Sequence, residues 1–428
     1  MSGQSPFIYG DSTMSDSKNL QPVRGTHDLL PEAARVQRHV VHTLQTVTKN
    51  YGYQEIATPM FEFTEVFART LGETSDVVSK EMYSFSDRGG ESLTLRPEGT
   101  AGVARSVISN KLYDFLPLKY WYTGAMFRYE RPQKGRQRQF HQVGVEFLGV
   151  STPLADAETI ALGWHFLQQL QLEGNLRLEI NSLGDEASRT VYRTALVAYL
   201  ERYKTSLSAD SQERLLRNPL RILDSKDAGD QEIITGAPSL KDSMSDEATA
   251  YFAAVQEYLS LINIPVVVNS RLVRGLDYYS HTAFEIISDG LGAQATVLAG
   301  GRYDGLIEMM GGKPTAGIGW AAGIERLALL LPPLEALPRP VAVIAMADAQ
   351  EQYAFTVVQN LRGQGIMAEL ITSGNVAKKF KKANKINALY AVLLGEEEAA
   401  TGRLTVKNLD SGEQQKIAIE EIKKGLSL

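Results

Sequence analysis

Four prolines between Pro332 and Pro340 divide this chain into two parts. Proline fixes the backbone dihedral φ and carries no amide hydrogen, so neither a helix nor a central strand runs through such a cluster. With 428 residues, the chain is also too long for one ordinary core. We therefore predict a linker over 332–340 and a separately folded domain over 341–428.

The part before the linker contains strand-like segments that no helix separates. Two of them flank a polar loop between Leu118 and Phe147, and another covers 175–180. Strands that follow each other without a crossover helix pair in antiparallel fashion. A helix is predicted from Pro31 to about Asn50, because proline suits a first helical turn.

A change of pattern marks a helical insertion. From 184 to 262 the sequence reads as polar helices, and strand character returns only after it. We predict a core domain over 21–183 and 263–331, interrupted by a helical domain over 184–262. After the linker, short apolar strands alternate with helices, which indicates an α/β unit with a largely parallel or mixed sheet.

Composition excludes several classes of protein. The chain has no cysteine, which rules out disulfides, cysteine-ligated zinc and thiol nucleophiles. Its net charge of −6 argues against a general nucleic-acid coat protein, so no DNA partner is expected. No apolar run approaches a membrane span, and residues 1–20 are predicted to be a disordered tail rather than a targeting peptide. We expect a cytoplasmic protein without a membrane partner.

A basic loop is the most informative segment. Five basic side chains lie within residues 128–138, and Pro132 and Gly135 indicate a loop between two strands. Arginine presents a fixed set of donors to phosphate oxygens, so this loop suits a polyphosphate; a solvated surface loop is the alternative. In the strand that follows, alternation places Gln142, Gly144 and Glu146 on one face, either as a pocket floor or as a polar surface edge.

Three further segments centre on glycine or arginine: 96–100, 274–279 and 300–306. Each alone is equally well explained as a structural turn, and 300–306 is predicted to be a tight loop in which the backbone approaches a neighbour closely. The glycines of 317–323 do not have the spacing of a dinucleotide-binding fingerprint. In the apolar helix after them, Arg326 meets either an anion or Glu325 as a surface pair.

Together, the segments from Arg24 onwards resemble the histidyl-tRNA synthetase family in order and spacing. Residues 53–61, 127–146 and 317–331 look like motifs 1, 2 and 3 of class II synthetases, and 274–279 and 300–306 resemble the histidyl enzymes in particular. The resemblance implies an α+β fold with a six-stranded antiparallel catalytic sheet flanked by helices, a helical insertion that clamps the tRNA acceptor arm, and a C-terminal α/β anticodon-binding domain.

The resemblance also implies residue roles. It makes Arg274 and Arg128 catalytic, because they hold the substrate carboxylate and the α-phosphate of ATP. The remaining roles fall into three sets. The histidine-binding residues are Glu98, Thr100, Arg128, Gln142, Glu146, Arg274, Tyr278, Tyr279 and Tyr303; the ATP-binding residues are Arg128, Glu130, Arg136, Phe140 and Arg326; and the residues that meet the tRNA acceptor end are Arg131, Gln133 and Lys134.

The implied reaction uses L-histidine, ATP with Mg²⁺, and tRNA(His). Neutral imidazole carries one donor and one acceptor nitrogen, which Glu146 and Tyr279 match. Mg²⁺ is expected to keep mainly phosphate and water ligands, without a dedicated protein metal site. The resemblance of motif 1 implies a homodimer.

Two points remain open. A lysine cluster, Lys378, Lys379, Lys381, Lys382 and Lys385, is either a solvated helix face or a contact with tRNA phosphates. The rival function is that of a non-catalytic paralogue, the regulatory subunit of ATP phosphoribosyltransferase, which shares the catalytic fold but lacks the anticodon domain. Another class II synthetase, or a tRNA-binding protein without activity, would also share parts of the pattern.

Overall fold

The computed structural model describes residues 20–71, 77–133, 135–172, 176–272, 278–290 and 296–425, so the predicted tail lies outside it except for residue 20. The chain divides into two compact units, Met1–Pro333 and Leu334–Leu428. The division falls at Pro333, within the proline-rich segment.

The first unit is built on a mixed sheet of eight strands. Their order is β1-β5-β6-β11-β10-β9-β7-β8, and a separate three-stranded sheet has the order β2-β4-β3. The strands are β1 (Gln54–Glu55), β2 (Phe61–Phe63), β3 (Tyr83–Ser86), β4 (Ser92–Leu95), β5 (Leu118–Phe127), β6 (Gln139–Leu148), β7 (Leu176–Ser182), β8 (Val266–Val268), β9 (Ser280–Ser288), β10 (Thr296–Arg302) and β11 (Gly317–Gly323).

The sheet is wider than the predicted six antiparallel strands. The six strands from β5 to β7 in this order do pair antiparallel, as predicted. At the two edges, however, β1 adds parallel to β5 and β8 adds parallel to β7. Each edge strand is joined to its partner through helices, and such crossover connections are what parallel pairing requires. The number of six strands came from the family resemblance and did not include these two short edge strands.

Helices cover the sheet and enclose its main core. Helix α1 begins at Pro31 and ends at Asn50, which confirms the prediction for this segment. The buried core includes Val143, Val145 and Phe147, so the alternation predicted for β6 is also confirmed. The helices of the first unit are α1 (Pro31–Asn50), α2 (Thr64–Leu71), α3 (Thr100–Ser109), α4 (Pro153–Gln169), α5 (Glu186–Leu200), α6 (Ala209–Arg217), α7 (Ala228–Thr235), α8 (Asp246–Leu261), α9 (Leu306–Met309) and α10 (Ile324–Leu330).

The helical segment after β7 has a small core of its own. Leu196, Leu200 and Ile222 pack together there, away from the main core. The last helix of the segment behaves differently, because Val255 and Leu259 of α8 belong to the main core beneath the sheet. Helices α5, α6 and α7 with their connections therefore form the protruding part, which we call the insert, and α8 returns the chain to the sheet.

The second unit alternates strands and helices. Its five strands have the order β13-β12-β14-β15-β16, with the first three parallel and the last two added antiparallel. Strand β12 is buried on both faces, as expected for the centre of a parallel sheet. Its elements are β12 (Val341–Ala345), α11 (Glu351–Gly363), β13 (Ala368–Ile371), α12 (Val376–Lys385), β14 (Tyr390–Leu394), α13 (Glu396–Thr401), β15 (Arg403–Asn408), β16 (Gln414–Ala418) and α14 (Ile422–Gly425).

Candidate active site

A pocket of about 320 Å³ opens on the antiparallel part of the sheet, on the face opposite the main core. Strands β6, β10 and β11, the start of α3 and the β5–β6 loop contribute its walls. Most of the predicted site residues line it, namely Glu98, Thr100, Arg128, Glu130, Arg136, Phe140, Gln142, Tyr278, Tyr279, Tyr303 and Arg326.

Glu146 lies beneath the pocket rather than in its wall. The residue is 1% exposed. Its carboxylate accepts hydrogen bonds from Thr100 Oγ1 at 2.7 Å, from Tyr122 Oη at 3.4 Å and from the hydroxyl of Tyr303. Burial raises the pKa of Glu146 to about 8, although the hydroxyls of Tyr303 and Thr100 act in the opposite direction. A buried acid therefore stands directly behind two side chains that line the pocket.

Glycines make room for this arrangement. Gly319 faces Glu146 across the β6–β11 pair. A Cβ atom at Gly319 would lie 1.9 Å from Glu146 Oε2, and one at Gly144 would lie 2.5 Å from the ring of Tyr122. Either side chain would displace the groups around Glu146. The need for glycine at positions 319 and 144 follows from the strand register, which the sequence alone does not give.

The segment 300–306 differs from the tight loop that was predicted for it. Gly300, Gly301 and Arg302 are part of strand β10, so that prediction is wrong for them. The close approach is nevertheless present, because a Cβ atom at Gly300 would lie 2.1 Å from the carbonyl oxygen of Gly319. The glycines bring neighbouring strands together, whereas the sequence pattern suggested a turn.

Two acceptors lie at the start of α3 and on β6. Glu98 is 6% exposed and accepts the amide hydrogens of Thr100 at 2.6 Å and Ala101 at 2.8 Å. Burial raises the pKa of its carboxyl, while these backbone bonds oppose the shift. Nearby in the pocket wall, Gln142 Oε1 is buried and has no hydrogen-bond partner among the described residues. Such an orphaned acceptor is suited to a ligand with N–H donors.

Three arginines also line the pocket. Arg128 Nε donates to Pro97 O at 2.9 Å, and its guanidinium lies 5.3 Å from the Phe140 ring centroid. Arg136 Nε lies 2.6 Å from Glu130 Oε2. Arg326 Nη1 donates to Thr296 O at 3.0 Å. These arginines present several cations to one cavity.

Arg326 lies among charges of both signs. Burial lowers the pKa of this guanidinium, and the positive charges of Arg136 and Arg128 lower it further, while the carboxylates of Glu130 and Glu285 raise it. A polyanion in the cavity would add negative charge beside the three arginines and so favour their charged forms. This observation favours the anion-binding interpretation of Arg326.

The alternative surface pair between Glu325 and Arg326 is wrong. Glu325 is 6% exposed and accepts from the amide of His141 at 3.0 Å and from its Nδ1 at 2.9 Å. These bonds fix the start of α10 against β6. Glu285, whose carboxylate accepts from Thr296 Oγ1 at 2.8 Å, also lines the pocket and was missed. The available signal was the single acidic residue of strand β9, between the apolar residues Phe284 and Ile286.

The residues predicted to meet tRNA lie elsewhere. Arg131 and Gln133 are exposed on the β5–β6 loop and do not line the pocket. Lys134 and Arg274 lie outside the described residues. Within the described ranges, no helix is long and apolar enough to cross a membrane, and no three acidic or histidine side chains group as a metal site.

The comparisons with known proteins agree along the whole chain. Residues 25–327 match the family model for histidyl-tRNA synthetase, and 340–427 match the model for an anticodon binding domain. The histidine–tRNA ligase of Rhodospirillum rubrum is 55% identical over 409 residues, which are 95% of this chain and 99% of that protein. The corresponding ligase of Gluconacetobacter diazotrophicus is 53% identical, over 94% of this chain and 97% of that protein.

A solved structure is similar over the same extent. The apo histidyl-tRNA synthetase of S. aureus superposes with a TM-score of 0.82 at 36% identity, over 96% of this chain and 100% of that one. The mixed sheet, the pocket on it and the C-terminal unit define a class II aminoacyl-tRNA synthetase. Within that class, the chain belongs to the histidyl-tRNA synthetase family. The anticodon domain also argues against the rival regulatory subunit.

Proposed function

We propose that the pocket activates L-histidine with ATP and that the chain then transfers histidine to the 3′-terminal adenosine of tRNA(His). In the first step the histidine carboxylate attacks the α-phosphorus of ATP and pyrophosphate leaves. The observation that carries this proposal is the division of one pocket into two chemical halves. Glu146 and its hydroxyl partners lie at one side, and Arg128, Arg136 and Arg326 lie at the other.

The half with Glu146 binds the imidazole. Glu146 accepts from the imidazole N–H, which takes the place of one of the hydroxyl donors now bonded to the carboxylate. Tyr279 donates to the second ring nitrogen, while Tyr278 and Tyr303 close the pocket. A site with buried polar groups that need partners rejects analogues by about 10⁴-fold or more, so it needs no separate editing step.

The ammonium group of histidine meets acceptors. The free Oε1 of Gln142 and the carboxylate of Glu98 both face the cavity, with the Thr100 hydroxyl beside them. Arg274, assigned from the family resemblance, bridges the histidine carboxylate and the α-phosphate. Neutralising the charge that these two groups share is the main catalytic contribution open to the protein, since little covalent chemistry remains for it.

The half with the arginines binds ATP. Arg128 holds the α-phosphate, Arg136 and Arg326 hold the outer phosphates, and the adenine stacks on Phe140. Mg²⁺ fits this half, because the carboxylates of Glu130 and Glu285 supply the oxygen ligands that a hard cation prefers. When bound, Mg²⁺ would neutralise part of the phosphate charge. Glu130 also positions Arg136 through their ion pair.

Transfer to tRNA involves both units. Arg131, Gln133 and Lys134, assigned from the family resemblance, meet the acceptor end, and Arg131 and Gln133 are exposed on the β5–β6 loop. In the anticodon-binding unit the lysine cluster needs one correction, because Lys379 is 2% exposed and donates to Ala345 O at 2.8 Å. Lys379 is therefore structural. The exposed lysines Lys378, Lys381, Lys382 and Lys385 remain as candidates for phosphate contacts.

The active form is a cytoplasmic homodimer. Phe61 and Phe63 on β2 are 53% and 57% exposed, and Phe85 on β3 is 47% exposed. Phe63 and Phe85 both pair with Leu93 of β4, so the aromatic side chains share one face. An exposed apolar face of this kind is typical of an interface. Sedimentation should give twice the 47.1 kDa chain mass, and a fully active monomer would exclude the dimer.

Pyrophosphate exchange with each of the twenty amino acids tests the function directly. Exchange is expected with histidine and Mg²⁺ alone. Arg274→Ala should slow adenylate formation by about 10²-fold to 10³-fold in single-turnover experiments, with a much smaller change in histidine affinity. Exchange with threonine at an equal rate, or with no amino acid, would exclude the proposal; an unchanged chemical step would remove Arg274 from it.

A further inference from the structure

The first helix of the insert is anchored where the insert joins the core. Asp185 caps α5 by accepting the amide hydrogen of Ser188 at 2.7 Å. The same carboxylate accepts from Ser245 Oγ at 2.5 Å, and the amide of Ser245 donates to Ser188 Oγ at 2.9 Å. Ser245 in turn caps α8. A clasp of two hydrogen bonds, from Ser245 to Asp185 and to Ser188, thus joins the start of α5 to the residue before α8.

This clasp is bonded directly to the strand that follows the pocket tyrosines. The amide of His281 donates to Gly184 O at 3.0 Å, and Leu183 N donates to His281 O. His281 adopts a left-handed conformation with φ of 44°, and the β9–β10 register shifts between Gly301 and Arg302. A bulge of this kind redirects the side chains next to it.

Arg189 extends the connection to the pocket itself. It lies in the first turn of α5, and its Nη1 donates to the carbonyl oxygen of Tyr279 at 3.0 Å. Tyr279 lines the pocket, and its ring packs 4.7 Å from the Tyr278 ring centroid. A side chain of the insert therefore fixes the main chain of a residue in the histidine half of the pocket.

We propose that Arg189 is a positioning residue for histidine binding, an inference that rests on the proposed function. By holding the Tyr279 carbonyl, Arg189 keeps the Tyr279 ring where its hydroxyl meets the imidazole. It does not touch the substrate. The bond joins a charged donor to a neutral carbonyl, so its loss is expected to weaken histidine binding about tenfold, which corresponds to about 1.4 kcal/mol. ATP binds the other half of the pocket and is unaffected.

Three variants test the inference in the full-length protein. Arg189→Ala removes the donor, Arg189→Lys keeps a positive donor of a different shape, and Arg193→Ala serves as the matched control. Arg193 lies one turn further along α5 and is exposed. Pyrophosphate exchange gives the KM for histidine, the KM for ATP and kcat, and thermal melting monitors folding.

Arg189→Ala should raise the KM for histidine about tenfold, with the KM for ATP and kcat within about twofold of the parent. Arg189→Lys should recover part of the loss, and Arg193→Ala should match the parent. If Arg189→Ala behaves like Arg193→Ala, the inference is wrong. It is also wrong if both KM values and kcat deteriorate together, since that indicates general loosening. Should Arg189→Ala fail to fold, Arg189→Met decides, because it keeps the length of the side chain without a hydrogen-bond donor: a parental KM for histidine rejects the inference. A parent without histidine-dependent exchange would reject the proposed function instead.

Discussion

Replacing Glu146 by glutamine should stabilise the protein and impair histidine binding at once. The pKa of Glu146 is raised to about 8 from an ordinary value of 4.5, mainly by burial. The folded protein therefore holds a proton that the unfolded chain releases above about pH 4.5. The stabilisation that comes from this proton is fully present below that pH and is lost as the pH rises through about 8. Glutamine does not titrate and removes this loss.

The size of the effect follows from the pKa shift. One pKa unit corresponds to about 1.4 kcal/mol, so the parent should lose on the order of 4 kcal/mol between pH 5 and pH 8 relative to Glu146→Gln. In a unit of this size, each kcal/mol shifts the melting temperature by about 2 °C. The melting-temperature advantage of the variant should therefore grow by about 8 °C over this range.

Thermal melting at pH 5, 6, 7 and 8 measures the effect. Glu308→Gln, which makes the same chemical change at an exposed position on α9, is the control and should follow the parent at every pH. In pyrophosphate exchange above about pH 8, where the parent carboxylate is charged, Glu146→Gln should raise the KM for histidine at least about tenfold, because that charged acceptor is lost. If the melting temperatures of the parent and of Glu146→Gln change by the same amount from pH 5 to pH 8, Glu146 is not a destabilising buried acid and the reasoning is refuted.

Three further changes have defined outcomes. Gly319→Ala should abolish histidine-dependent exchange, because the new Cβ would lie 1.9 Å from Glu146 Oε2; an active variant with parental KM would contradict the packing argument. Asp230 is buried in the insert, where burial raises its pKa but hydrogen bonds from Ser211, Ser225 and Ser208 lower it to about 2. The stabilisation by the charged carboxylate is present above about pH 3.8 and is lost towards pH 2. Asp230→Asn should therefore have a lower melting temperature than the parent at pH 7, but its melting temperature should fall less between pH 4 and pH 2. Equal falls in melting temperature would contradict this. A chain truncated near Leu337 should still form histidyl-adenylate but charge tRNA poorly, and a joint loss of both activities in a folded dimer would contradict it.

The sequence predicted those elements whose residues are neighbours along the chain. The hairpin of β5 and β6, the helix from Pro31 and the strand at 341–345 all appear where periodicity and proline placement predicted them. The short edge strands β1 and β8 lie within runs of extended character, 53–59 and 265–271, but their parallel pairing was not predicted, since their partners are distant in sequence.

In the site, the sequence predicted residue types better than their surroundings. The arginines Arg128, Arg136 and Arg326 do line one cavity. Burial is what the sequence could not show. Glu146 proved to lie behind the wall, and Lys379 turned inward to a backbone carbonyl, although its neighbours on α12 are exposed. Both positions depend on which face of an element meets another element, and that is decided by the tertiary fold.

The clasp between Asp185 and Ser245 has a consequence for how this fold can change over evolutionary time. About sixty residues leave the core and return to the same point, so the number of residues in this segment can change with little effect on the rest of the fold. Such a site tolerates exchange, shortening or enlargement of the intervening segment. A graft between relatives with different inserts should therefore preserve the sheet, provided that the clasp is kept and a donor at the position of Arg189 still reaches the carbonyl of Tyr279.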